Sequence, residues 1–308
     1  MSSSGKKNPA ASARDRLLAL ARKQGEDFQL VLTRYGLERL LYRLSHSPHH
    51  DRFVLKGAML FMLWSRNPHR PTRDVDFLGS GDSSEAGLRT VFRDLCDMPD
   101  QGDGVTFDPE SVRVEPIRDD TEYGGMRVTL TGQLASARIP IQADIGFGDA
   151  VTPETVVIEY PTILDDPAPT LRAYPRETVI AEKYQALVAL GMANSRMKDF
   201  YDLWVMARDY DYEGDTLARA IGNTFARRRT EIPAATPSGL SPDFTRDRQK
   251  NIQWKAFLSR ISTDDGELTL PDVCEQLAAF LQPPTEAARR GIGFDAIWKN
   301  GGPWSDTS

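Results

Sequence analysis

The stretch Arg73-Asp74-Val75-Asp76-Phe77-Leu78 decides how this chain is read. Charged and apolar residues alternate through it, which is the period of a half-buried strand. Side chains two apart on a strand share a face. Asp74 and Asp76 therefore project to one side, while Val75 and Phe77 point the other way, into a core. Two neighbouring carboxylates repel unless a cation lies between them, and a hard divalent ion such as Mg²⁺ is the usual solution. A lone D-x-D pair is a weak signal, so its surroundings carry the weight.

Downstream, Ile139, Ile141, Ala143 and Ile145 alternate with Gln142 and Asp144. That predicts a second strand over 138–147 with Asp144 on its polar side. If this strand lies beside the first, three carboxylates converge and could hold two metal ions for an in-line displacement at phosphorus. Otherwise Asp144 is a surface residue next to a glycine-containing turn. Upstream, Lys56-Gly57-Ala58 is predicted to open a helix within Phe53–Trp64. Free backbone N–H groups and the helix dipole favour phosphate at such a start; the alternative is a turn glycine before a buried helix.

In the predicted helix 177–190 the inward stripe runs Val179, Ile180, Lys183, Tyr184, Leu187 and Val188. Burying an unpaired ammonium is costly, so Lys183 needs an anion. A nucleotide triphosphate is one candidate and a structural carboxylate, Asp199 on the next helix, is the other. Asp199 and Asp202 share a helix face at i, i+3 spacing, with Arg196 and Lys198 beside them. The run Arg227-Arg228-Arg229 complements a helix C-terminus or touches RNA phosphates.

The wider chain sets bounds on these readings. It has 308 residues, 40% apolar and 27% charged, with net charge −6. Rod, collagen and wholly disordered classes are excluded. The longest apolar stretch, 53–64, is interrupted by Lys56 and is too short for a bilayer span of about 20 residues, so no membrane is expected. The N-terminus has no hydrophobic region of the secretory kind. Two distant cysteines, Cys96 and Cys274, fit a reducing cytoplasm and give no zinc pattern. Charge is uneven: residues 1–75 hold 14 Lys and Arg against 6 Asp and Glu, so +8, and the remainder carries −14. A basic front may face nucleic acid or pair with acids elsewhere.

Four regions are expected: a disordered tail over 1–12, N-terminal helices over 13–50, a mixed core over 51–165 and a helical part over 166–308. Strands are predicted at 73–78, 111–117, 125–132, 138–147 and 156–159. Helices are predicted at 28–44, 83–98, 177–190, 195–209, 215–228, 248–260 and 271–281, with loops at 65–72 and 99–110.

Five segments occur in a telling order: Phe53-Val-Leu-Lys-Gly-Ala58, Arg70-Pro-Thr-Arg-Asp-Val-Asp76, Gln142-Ala-Asp-Ile-Gly-Phe-Gly-Asp149, Tyr174-Pro-Arg-Glu-Thr-Val-Ile-Ala-Glu-Lys183 and Arg196-Met-Lys-Asp199-Phe-Tyr-Asp202-Leu-Trp204. The sequence closely resembles the AbiEii/AbiGii nucleotidyltransferase toxins of bacteria, a branch of the polymerase-beta-type nucleotidyltransferase fold. The likeness runs from about Ala11 to Trp298. It implies an α+β fold with a mixed sheet, and a type IV toxin with an antitoxin encoded nearby. It implies Mg²⁺-dependent transfer from an NTP, with a tRNA 3′ end as the acceptor in some relatives. By correspondence, Asp74 and Asp76 are metal-binding carboxylates, Asp144 is the third carboxylate of the wider fold, Lys183 contacts nucleotide phosphates, and Asp199 stands near the active centre. Gly57-Ala58 replaces the Gly-Ser of the wider fold, removing one hydroxyl. The rival readings are nucleotidylation of a protein hydroxyl and a non-catalytic RNA- or protein-binding module.

Overall fold

A computed structural model of the chain describes residues 8–64, 72–99, 101–117, 124–261 and 268–307. Two compact units are present: residues 1–148 with 156–173, and residues 149–155 with 174–308.

The first unit is built on a seven-stranded mixed sheet. Its strands are β1 (Phe53–Lys56), β2 (Val75–Gly79), β3 (Val105–Pro116), β4 (Met126–Leu134), β5 (Ala137–Phe147), β6 (Val156–Glu159) and β7 (Thr170–Ala173). They lie in the order β3-β4-β5-β2-β1-β7-β6. The aspartate-bearing β2 is thus the central strand, antiparallel to β1 and parallel to β5. Alternation gives it one apolar face: Val75, Phe77, Ile139, Ile141, Ala143 and Ile145 are all buried.

Helices α1 (Pro9–Gln24), α2 (Phe28–Ser45), α3 (Leu60–Trp64) and α4 (Glu85–Cys96) complete this unit. Asn8 caps α1 by accepting from the Ala11 N–H, and Pro9 sits at the first turn, where its missing N–H costs nothing. Asp27 caps α2 in the same way through the Leu30 N–H. Gly36 lets α2 approach β5: a Cβ there would stand 2.7 Å from the Ile139 side chain. The same helix buries Arg43 against Asp103, with Arg43 Nη1 donating to Oδ2 at 2.9 Å and Nη2 donating to the Val105 carbonyl at 2.7 Å. Nearby, Glu38 accepts from the Ile163 N–H at 2.7 Å and pairs with Arg39. Burial pushes the Glu38 carboxyl up to about 7.

The second unit is mainly helical. It contains α5 (Arg176–Leu190), α6 (Met197–Asp209), α7 (Gly214–Arg227), α8 (Pro242–Arg246), α9 (Arg248–Leu258) and α10 (Leu270–Arg290). A small sheet of β8 (Tyr212–Glu213), β9 (Ala296–Trp298) and β10 (Trp304–Asp306) runs in the order β10-β9-β8. Each unit buries one cysteine, Cys96 in the first and Cys274 in the second. Burial pushes both thiols up to about 12.

Several boundaries differ from the sequence expectations. The expected disordered tail is already helical from Pro9, and within Phe53–Trp64 the helix expected to open near Gly57 is a 3-10 turn (Gly57–Met59) leading into the short α3, preceded by β1, which was not expected. Four buried or half-buried residues, Phe53 to Lys56, satisfy their backbone between β2 and β7. The expected loop 99–110 contains the start of β3, whose irregular register between Asp108 and Arg113 accommodates Pro109. α10 was expected to stop at 281 but continues through Pro283 and Pro284. Pro284 cannot donate to the Phe280 carbonyl; Trp304 Nε1 donates to it instead, at 2.9 Å. The Thr285 hydroxyl supports the Leu281 carbonyl at 2.6 Å. The expected loop over 65–72 lies, apart from Thr72, outside the described residues. Among the described residues no helix is long and apolar enough to cross a membrane.

Breaking a buried ion pair strands a charge and typically costs about 3 kcal/mol or more. Asp103→Ala should therefore lower the stability of the first unit by about that amount, read as a fall in the urea midpoint. A midpoint shift of only a few tenths would show that Arg43 finds another partner.

Candidate active site

The register of the central strands places the charged residues. Lys56 of β1 stands opposite Asp76 of β2. Asp76 stands opposite Asp144 of β5, and Asp144 opposite Arg127 of β4. One row across four strands thus reads Lys56, Asp76, Asp144, Arg127. The expected neighbour relation of the two strands is observed; Asp74, expected within the strand, lies just before it, because β2 begins at Val75.

Asp144 has a defined partner. Arg127 Nε donates to Oδ1 at 2.9 Å and Nη2 to Oδ2 at 2.7 Å, a bidentate pairing of the strong, oriented kind. Gln142 Nε2 adds a longer bond to Oδ1 at 3.3 Å. These bonds to Asp144 hold the Arg127 guanidinium above its ordinary value, and the Asp74 charge adds in the same direction. Asp74 is oriented by the buried Thr72, whose hydroxyl donates to Oδ1 at 2.7 Å.

Gly57 has a backbone φ of +72° and faces the Asp76 side chain. A Cβ at this position would collide with the Asp76 carboxylate. The glycine is therefore required twice, by its left-handed backbone and by the space the carboxylate occupies. Ala58 follows it in the 3-10 turn. The expectation of an α-helix N-terminus here does not hold, because the turn and the five-residue α3 present no extended set of free N–H groups.

Asp74 and Asp76 form a hard-oxygen pair that fits a divalent cation such as Mg²⁺ by donor chemistry, and the missing Cβ at Gly57 keeps the Asp76 carboxylate clear of side-chain bulk. Asp144 is occupied by Arg127. Among the described residues no cluster of three or more His, Cys, Asp or Glu side chains is arranged to hold a metal.

Lys183 and Asp199 belong to the second unit. Lys183 Nζ lies 2.7 Å from Asp199 Oδ1 and 2.8 Å from Asp202 Oδ2. Arg196 Nε is 2.6 Å from Asp199 Oδ2. Asp199 and Asp202 are essentially inaccessible. Burial alone would raise the Asp199 carboxyl; Lys183 and Arg196 overcome that and hold it below its ordinary value. Of the two anions considered for Lys183, the structural carboxylates are the ones beside it here. Arg228 also turns inward: it donates to Asp149 at 3.1 Å and to Gln185 Oε1 at 3.0 Å, and lies 3.2 Å from Glu182. Neither sequence expectation for this arginine, a helix-end cation or an RNA contact, includes these inward ion pairs.

The family described as nucleotidyl transferase AbiEii toxin, type IV TA system, matches residues 39–281. The chain belongs to that family. As a member of a type IV toxin–antitoxin family it is a nucleotidyltransferase with an antitoxin partner implied. Among solved structures, the crystal structure of JHP933 from Helicobacter pylori is similar at 16% identity and TM-score 0.46, over 86% of this chain and 94% of that one. A second crystal structure from H. pylori is similar at 17% identity and TM-score 0.46, over 86% and 97%. No curated protein matches the chain.

The residues missed in the sequence are Arg127, Thr72 and Gly57 in its steric role. Arg127 carries a weak signal, an arginine in an otherwise alternating strand, and only the β4–β5 register turns it into a partner for Asp144.

The Lys183 cluster yields a signed pH prediction. The native Asp199 carboxyl titrates below its unfolded value of about 3.9. Its stabilising contribution is complete above that value and is lost as pH falls through the native one. Lys183→Met removes the ammonium between two buried carboxylates, which should then hold a proton to higher pH. Stability of the variant should decline as pH rises from about 4 to 7, a window in which the wild-type Asp199 contribution is already complete, with a loss of about 3 kcal/mol at neutral pH. Urea titrations at several pH values measure both; a pH-independent loss would refute the assignment.

Proposed function

We propose that the chain transfers a nucleotidyl group from an NTP to an RNA 3′-hydroxyl, with Mg²⁺ as cofactor. The observation that carries this reading is Asp76 on the central strand, with Asp74 two residues before it and Gly57 packed against the Asp76 carboxylate. Membership of the nucleotidyl transferase family supports it. The tRNA 3′ end is the form of acceptor that the resemblance suggests.

The chemistry needs few parts. The acceptor oxygen bonds to the α-phosphorus, the bond from that phosphorus to the bridging oxygen breaks, and pyrophosphate leaves with the electron pair. The hydroxyl proton passes to solvent. Positioning and charge neutralisation supply most of the acceleration in such reactions. Asp74 and Asp76 would hold the divalent cation, which supplies positive charge at the reacting phosphate. Thr72 fixes the orientation of Asp74 through its hydroxyl. Lys56, one strand over in the Asp76 row, places a cation beside the leaving pyrophosphate. Arg127 engages Asp144 through two hydrogen bonds, so Asp74 and Asp76 are the pair proposed to hold the cation. The resemblance further assigns Lys183 to nucleotide phosphates and Asp199 to the active centre; these remain proposals for the second unit.

Asp76→Ala should abolish both growth arrest and label transfer from an α-labelled NTP, with the circular dichroism spectrum unchanged. Gly57→Ala should reduce transfer by roughly 100-fold, the cost of displacing a catalytic group by about an ångström. Transfer by Asp76→Ala at the wild-type rate would overturn the assignment. Label that resists RNase and yields to protease would move the acceptor to a protein hydroxyl.

A further inference from the structure

A groove of about 660 Å³ in the first unit is lined in part by Arg73, Arg113, Arg138, Thr129, Thr131 and Gln142, and none of its lining residues is acidic. On a chain of net charge −6, a carboxylate-free surface with three arginines is a departure from the average. None of the three forms an ion pair among the described residues. Arg113 is steadied only by backbone oxygens, donating to the Glu110 and Val112 carbonyls. Arg138 donates to the Thr131 hydroxyl at 3.1 Å. The guanidinium groups of Arg113 and Arg138 are thus oriented with donors to spare.

The register connects this groove to the carboxylates. Arg113 stands opposite Thr129, and Thr129 opposite Gln142. That row is one step along the strands from Arg127, Asp144 and Asp76 and shares their face of β4 and β5. Gln142 lines the groove and also hydrogen-bonds Asp144. Arg73 lines it and directly precedes Asp74. Lys56 and Gly57 lie on the other side of the Asp76–Asp144 pair, on β1 and beyond. A nucleotidyl transfer brings two anionic substrates to one phosphorus atom, so two cationic approaches on opposite sides of the carboxylates match what the reaction needs.

We infer that this groove binds the acceptor as a single-stranded RNA end, with Arg73, Arg113 and Arg138 on its phosphates and the Thr and Gln side chains donating to phosphate or ribose oxygens. The inference rests on the transferase reading above for its choice of substrate. Arginine suits phosphate geometry, and a strand of regularly spaced phosphates uses cations set in a line better than an acidic peptide does.

The test is direct binding without chemistry. A fluorescein-labelled single-stranded oligoribonucleotide with a free 3′-hydroxyl is titrated with the full chain in EDTA, without NTP, over a range of salt. Arg113→Ala with Arg138→Ala should weaken binding by about tenfold and flatten the log–log salt slope by about 1.4, the value for two lost contacts to a single strand. Arg219→Ala with Arg289→Ala removes the same charge from exposed helix positions and should leave binding as in the wild type. Arg113→Lys with Arg138→Lys should restore most of the slope, which a folding defect would not. The KM for the NTP should be unchanged in the alanine pair. Equal binding and slope in wild type and alanine pair would overturn the inference, as would a rise in NTP KM with RNA binding intact, or a wild type that labels protein and does not bind the oligonucleotide. Binding that depends on these arginines in a protein that transfers no nucleotide would uphold the groove and refute the transferase reading.

Discussion

Two carboxylates stand directly opposite each other at the centre of the sheet, and the rest of the first unit answers to that. Asp76 and Asp144 are paired positions on neighbouring parallel strands, where like charges destabilise. The row resolves the conflict from both ends. Arg127 closes on Asp144 with two short bonds, and Lys56 stands across from Asp76. Asp74 is held by the Thr72 hydroxyl, and Gly57 packs against the Asp76 carboxylate where a Cβ would collide with it.

The second unit meets a similar constraint by a different route. Asp199 and Asp202 are a turn apart on α6, both inaccessible, and one ammonium spans them at 2.7 and 2.8 Å. A lysine does this where arginine would not, because a compact charge on a flexible stem can sit between two oxygens that do not lie in one plane. Replacing such a cluster with apolar residues is often neutral for stability, so its value lies in fixing how α5 and α6 pair. Arg228, between Asp149 and Glu182, does the same for the end of α7.

Much of this was legible from the residues. Strict alternation around Val75 and Phe77, and again from Ile139 to Ile145, is a period-2 signal, so β2 and β5 were readable, whereas the expected strand position of Asp74 falls just outside β2. The anomaly of Lys183 in an apolar stripe was also visible, with Asp199 as one of two anions it could meet; the second carboxylate, Asp202, was not foreseen. Other features were not, for identifiable reasons. The Phe53–Trp64 run is apolar apart from Lys56 and Gly57, and a short buried strand and a buried helix look alike there. The Arg127–Asp144 bond depends on strand register, which no local pattern encodes. The continuation of α10 through two prolines depends on Trp304, twenty residues away, supplying a donor to Phe280. The groove is assembled from β3, β4, β5 and the start of α2, so its arginines are scattered in the sequence.

The two cysteines add something of a different kind. Each unit holds one, buried and with its thiol pushed up to about 12, so neither is a thiolate near neutral pH and both are largely shielded from solvent in the native state. A thiol reagent can reach Cys96 only when the first unit opens and Cys274 only when the second does. The molecule thereby carries its own pair of clocks, one per unit. The rates at which they are labelled report separately how often the sheet and the helical bundle breathe.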